Sequence, residues 1–146
     1  MRSFYDEVLL DHNMYPRYKG ELEKGNVQQE LVNASCGDKL KIDLLMDGEH
    51  VVDARWNGHG CAISQAAADL MVETIIDKDW DEIENLYKEV SKLVVGKMSK
   101  KEIEKLGKLG ALETMARMPA RVKCAKLPWQ IVELAGEARN NNGYLA

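Results

Sequence analysis

Four residues in this chain could bind a metal through sulfur and oxygen: Cys36, Asp38, Cys61 and Cys124. In Cys36-Gly37-Asp38 the thiol and the carboxylate stand two residues apart. In extended backbone such side chains point the same way and can reach one point. Thiolate plus carboxylate is a permissible part of a zinc shell, although a turn holding a small buried thiol would have the same sequence. Cys61 follows Gly58-His59-Gly60 and precedes an expected helix. Free backbone N–H groups and the positive end of the helix dipole favour thiolate there. A thiol packed among the alanines that follow is the other reading, and it leaves the flanking glycines, which permit close approach to the backbone, unexplained. Cys124 lies in ARVKCAKLPW ahead of another expected helix, where Arg121 and Lys123 favour its thiolate. Together the four offer an S₃O set that suits tetrahedral zinc. The steps of 25 and 63 residues between the cysteines are not zinc-finger spacing.

The elements that must position these groups follow from periodicity. Ser3 to Asn13 reads as a helix, with Ser3 as N-cap and Phe4, Val8, Leu9 and His12 along one face. Residues 15 to 26 break the pattern. Leu40, Ile42 and Leu44 then alternate with charged residues, which marks a half-buried strand. Asp47-Gly48 is a hairpin signal, and Val52, Ala54 and Trp56 line one face of the returning strand. From Ala62 the pattern is helical. Asp79 caps a second helix bearing Ile83, Leu86, Tyr87 and Val90. Ser99 and Glu102 form a capping box for a third. Pro119 interrupts, and Pro128 fits the first turn of a final helix, whose tail at Asn140 should fray. This is an α+β pattern of about three antiparallel strands covered by helices, in one domain over residues 1–146.

Composition narrows the function classes. With 45% hydrophobic and 30% charged residues, the chain is ordinary for a globular protein. The net charge of −4 and the lack of a basic face exclude a nucleic-acid partner as the expected reading. The N-terminus has no apolar signal region, and no apolar run approaches the ~20 residues that cross a bilayer. The expected location is the cytoplasm, with no membrane contact. Three cysteines without a secretion signal argue against a disulfide framework and for metal or thiol chemistry. His12 and His50 read as structural or exposed, Trp129 as core, and the run from Lys97 to Lys108 as a solvated helix face. His59, two residues from Cys61, is within reach of the cysteine site, but the reading without a role there outweighs that one.

FYDEVLLDHNMYPRYKG, NASCGD, GHGCAIS and ARVKCAKLPW occur here in an order that resembles the SufU branch of the IscU/NifU-like proteins of iron–sulfur cluster assembly. The resemblance covers nearly the whole chain. Ala34 stands where the family often has proline and Tyr18 where it often has asparagine; neither change removes a ligand. The scaffold branch has a histidine directly before its third cysteine, where this chain has Lys123, and a shorter gap between the second and third. The segment from Asp79 to Gly110 fills the longer gap with about one helical hairpin. The scaffold branch's Leu-Pro-Pro-Val-Lys motif is replaced by Leu127-Pro128-Trp129.

The resemblance implies an IscU/NifU N-terminal-like fold and a zinc-dependent sulfurtransferase. Its metal ligands would be Cys36, Asp38, Cys61 and Cys124, and it would work with a SufS-like cysteine desulfurase and pass sulfur to downstream assembly proteins. It implies that a desulfurase histidine replaces Cys36 on zinc and that the freed Cys36 accepts persulfide sulfur, with Arg121 as a candidate assisting cation. Two alternatives stand beside it: a scaffold carrying iron or a [2Fe–2S] cluster on the same thiolates, and a zinc domain that only docks a partner.

Overall fold

Strand geometry places Asp38 at one end of a three-stranded antiparallel sheet. The computed structural model describes residues 4–34 and 37–141, with side chains to Glu137. Strands β1 (Val27–Asn33), β2 (Asp38–Asp47) and β3 (His50–His59) lie in the order β1-β2-β3. Asp38 opens β2 opposite Asn33, while Asp47 and His50 close the two-residue turn at the other end. Leu40, Ile42 and Leu44 are fully buried and pair with Gly58, Trp56 and Ala54 of β3. Each large apolar side chain buried in this way contributes roughly 1.5–3 kcal/mol.

Helices cover the buried face. They are α1 (Phe4–Met14), α2 (Ala62–Ile75), α3 (Trp80–Leu93), α4 (Lys100–Lys105) and α5 (Val122–Asn141), with 3₁₀ stretches at Gly107–Arg117 and Pro119–Arg121. Helix α2 packs on α1, α5 and β3, and α5 reaches across to β1 and β2. The expected capping box at Ser99/Glu102 forms, and Asp79, expected as a cap, opens α3 with Glu82 accepting its N–H at 3.2 Å. None of the described helices is long and apolar enough to cross a membrane.

Four expectations need correction. Val52 is 43% exposed, and Val51 is buried in its place. An irregularity between Leu45 and Met46 shifts the register, and one extra residue on β3 turns each side chain before it to the opposite face. Phe4 is 66% exposed, leaving Val8, Leu9 and His12 as the buried stripe of α1. Pro128 is not in the first turn of the last helix but inside it, because α5 begins at Val122. Cys124 is therefore helical. The expected cap at Ser3 lies outside the described residues, as does the tail expected to fray from Asn142 on; α5 itself runs to Asn141.

A buried carboxylate ties the N-terminal segment to this frame. Asp69 of α2 is fully buried and accepts hydrogen bonds from His12 Nδ1 at 2.7 Å and Trp56 Nε1 at 3.0 Å. It also accepts from the backbone N–H groups of Arg17 and Tyr18, at 3.0 and 2.8 Å. The Arg17–Tyr18 turn is thus held against β3, where Trp56 N–H donates to the Tyr18 carbonyl and Gly20 N–H to the Trp56 carbonyl. This short pairing covers an edge strand that would otherwise stay open. Burial pushes the Asp69 carboxyl up, but the hydrogen bonds from His12, Trp56 and the two amides outweigh it and hold it below 3.8. A lowered folded-state value stabilises the fold fully above the unfolded value, near pH 4. That contribution is lost as pH falls through the lower folded value. We expect Asp69→Asn to cost on the order of 3 kcal/mol at pH 7 and to flatten the acid limb. Urea titrations between pH 7 and pH 2 check this; an unchanged acid limb would remove Asp69 from that role.

Candidate metal centre

Three separate elements deliver one donor group each to a common point. Asp38 comes from the first residue of β2, Cys61 from the N-cap of α2 and Cys124 from the first turn of α5. One carboxylate oxygen and the two Sγ atoms lie within 4.8 Å of one another. Zinc bond lengths of about 2.3 Å to sulfur and 2.0–2.2 Å to oxygen put tetrahedral ligand atoms roughly 3.5–3.8 Å apart. An inward movement of at most about 1 Å would close the group on an ion.

Cys61 has the backbone of a helix cap. At φ −71° and ψ 167°, its sulfur accepts the Ser64 N–H at 3.4 Å, and the Ser64 hydroxyl donates to the Cys61 carbonyl at 3.0 Å. Gln65 braces the Gly60 carbonyl at 2.9 Å. Burial pushes the Cys61 thiol up; the Ser64 N–H and hydroxyl and a hydrogen bond with Cys124 bring it below 9.0, against the opposing charge of Asp38. Cys61 caps one helix and Cys124 stands in the first turn of another, the region where the positive dipole end favours an anion. Pro128 adds a local irregularity, because it has no N–H to donate to the Cys124 carbonyl one turn earlier.

Asp38 carries the sharpest sign of a missing partner. It is fully buried, and its Oδ1 accepts the Cys61 N–H at 2.8 Å. Its Oδ2 is also buried and has no hydrogen-bond partner among the described residues. A buried carboxylate oxygen without a partner is costly. Beside two sulfurs, one of them favoured as thiolate, it calls for a cation. The residues present therefore fit zinc. We expect Asp38→Asn, which keeps the Oδ1 acceptor and removes the charge, to act in opposite directions in the two states. Metal-free, it gains on the order of 1 kcal/mol; with zinc it binds at least about tenfold more weakly. Melts in chelator and zinc competition measure the pair. Loss of stability in the metal-free form would make Asp38 a structural residue instead.

The two flanking glycines have different reasons. A Cβ on Gly60 would run into the Ser64 hydroxyl and the Asp38 carboxylate, so Gly60 makes room for the site. Gly58, at φ 116°, faces the Lys39 backbone across the sheet, so close strand pairing rather than the metal requires it. Cys36 lies outside the described residues. Its neighbour Gly37 adopts φ 73° and donates its N–H to the Asn33 carbonyl at 2.9 Å, a turn instead of the extended run expected for Cys-Gly-Asp.

Other candidates are dispersed. Arg121 is exposed in the 3₁₀ turn that leads into α5. His59 ends β3 opposite Lys39 and is exposed. His12 is committed to Asp69, and His50 bonds Asp79 at 2.8 Å. Trp129 is fully buried. The sequence reading did not single out Asp69 or Gln65. Ser64, three residues after a cysteine at a helix start, has the spacing of a capping pair, and that signal was legible.

Comparison with known proteins adds the context. A family model described as the NifU-like N-terminal domain matches residues 4–126. The zinc-dependent sulfurtransferase SufU of Bacillus subtilis is 36% identical over 141 residues, 97% of this chain and 94% of that protein. The iron–sulfur cluster assembly scaffold protein IscU of Thermotoga maritima is 35% identical over 134 residues, 92% of this chain and 93% of that one. A crystal structure from Fervidobacterium islandicum, described as an iron–sulfur cluster assembly scaffold protein for the SUF system, superposes with a TM-score of 0.80. It is 35% identical, and the match covers 88% of this chain and 93% of that one.

Proposed function

Because the chain belongs to the family of NifU-like N-terminal domains, we propose that it works in iron–sulfur cluster assembly as a zinc-dependent sulfurtransferase, accepting sulfur from a cysteine desulfurase. The observation that carries this reading is the group of Asp38, Cys61 and Cys124 with its unpaired carboxylate oxygen. Cys36 stands two residues from Asp38 and would complete the set as S₃O. Zinc bound there would keep the thiols deprotonated and shield them from reaction.

The residues divide the work. Cys61, held by Ser64, and the fully buried Cys124 anchor the site. Cys36 is the acceptor. Its thiolate attacks the outer sulfur of the desulfurase persulfide, a new S–S bond forms, the old one breaks, and the partner's cysteine leaves as thiolate. No external oxidant or reductant is needed. Arg121, exposed on the turn before Cys124, is the candidate cation for the charge on the attacking and leaving sulfurs. Lys123, also exposed, stands where the scaffold branch places a histidine and offers no ligand of that type.

The test is the turnover of a SufS-type cysteine desulfurase, measured as alanine formed, with and without the zinc-loaded protein. Faster turnover together with sulfur on this chain supports transfer; unchanged turnover overturns it. The likeness to a scaffold protein of Thermotoga maritima keeps the second reading in view. Protein purified without oxygen decides between them: colourless with about one zinc favours transfer, brown with iron and sulfide the scaffold.

A further inference from the structure

We propose that the cleft between α3 and α5 is a second interaction surface, one that takes a basic peptide segment of a partner protein and seats an arginine side chain in an aromatic cavity. The cavity holds about 280 Å³ and is floored by Trp80, Ile83, Tyr87, Trp129 and Val132. Glu84 and Glu133 stand in its walls, from α3 and α5 respectively, with Lys88 one turn beyond Glu84. Trp80 and Trp129 are buried and give the floor its apolar body, while the half-buried Tyr87 presents a ring that attracts a cation over its face. A guanidinium is planar, stacks on such rings and pairs with carboxylates through a fixed fork of donors. The methylenes of the same side chain suit the apolar floor.

The surroundings carry the same sign. An adjoining hollow shares Trp80 and Glu84 with the cavity and adds Asp47, Glu49, Asp79 and Asp81, with His50 the only basic group in its wall. That His50 is already held by Asp79 at 2.8 Å. Basic residues flanking the arginine would meet this acidic rim, which favours encounter and orientation. One further polar atom, on a lining residue, is unanswered. Trp129 is fully buried, and its indole N–H has no acceptor among the described residues. A carbonyl of the incoming segment would supply one. Tyr87 is hydrogen-bonded with Glu133, and burial together with that carboxylate raises its hydroxyl above 10.0, so the acidic wall is a connected arrangement and not scattered surface charge.

The surface is also separate from the metal centre. Glu133 lies nine residues along α5 from Cys124, about 14 Å at helical rise. The acidic hollow is at the far end of β2 from Asp38, about 30 Å away at strand rise. The residues around Cys124 have the opposite charge, with Arg117, Arg121 and Lys123 all exposed. A basic segment is therefore directed to the cleft and away from the cysteines.

The three tryptophans make the test internal. The zinc-loaded full chain is titrated with acetyl-Gly-Lys-Arg-Lys-Gly-amide, and its indole N–H signals are followed by NMR. The indoles of Trp80 and Trp129 shift together, while Trp56, whose N–H is committed to Asp69, stays in place. The Glu84→Gln, Glu133→Gln double variant, checked for an unchanged melt, binds at least tenfold more weakly. An analogue with glutamine at all three basic positions does not bind. Equal shifts from that neutral analogue, movement of all three indoles, unchanged affinity in the double variant, or no shift at all would each overturn the proposal.

Discussion

Stripping zinc from the loaded protein lowers its melting temperature by about 12 °C, and adding zinc back restores it. The expectation follows from linkage. Free zinc at about a thousand times its dissociation constant adds about 4 kcal/mol to the folded state. For a chain of this length each kcal/mol moves Tm by roughly 3 °C. The metal-free form nonetheless stays folded, unlike a zinc finger. Its core, with Leu40, Ile42, Trp56, Leu112 and Trp129 fully buried, draws on every layer of the structure, and of the three described donor groups only Cys124 belongs to it. What the loss of zinc exposes is local: the Asp38 carboxylate loses its counter-charge and two helix starts lose their common tie. Differential scanning calorimetry with and without chelator measures this. A melt that ignores chelator would mean that the three donors hold no metal of consequence.

Periodicity made the sheet legible because β2 obeys it strictly, with Leu40, Ile42 and Leu44 facing in. It failed on β3 because a bulge is written in backbone register and not in residue type, so Val52 looked equivalent to Ala54. Local rules also placed Cys61, whose capping partner Ser64 is three residues away. They misplaced the start of α5. Pro128 has the chemistry of a first-turn residue, and only tertiary packing reveals that the helix already began at Val122. The convergence of Asp38, Cys61 and Cys124 was legible as a ligand list and a resemblance, but the unpaired oxygen of Asp38 is a fact of burial that sequence does not hold. Asp69 escaped notice for a similar reason. It sits among alanines on α2 like a solvated residue, while His12, Arg17 and Tyr18, which bond it, lie more than fifty residues earlier.

Replacing Cys36 by alanine reduces desulfurase turnover to that of the desulfurase alone and leaves no transferred sulfur on this chain. The alternatives are poorly placed to substitute. An attacking sulfur must meet the partner's persulfide directly, and Cys124 is fully buried in the first turn of α5. Cys61 is more open, but its sulfur is held by the Ser64 N–H in a helix cap, so moving it would dismantle the start of α2. Cys36 belongs to the four residues between the end of β1 at Asn33 and the start of β2 at Asp38, outside both strands and every helix. The variant still carries Asp38, Cys61 and Cys124, so it retains weaker zinc binding and a melt above that of the stripped protein. That retention separates loss of the acceptor from loss of the site. Intact-mass analysis after mixing with desulfurase and cysteine reads the result. If the alanine variant still gains a sulfur atom at the wild-type rate, Cys124 becomes the acceptor. In that case α5 must open at its first turn during transfer, and hydrogen exchange at Val122–Ala125 would rise when the desulfurase is added.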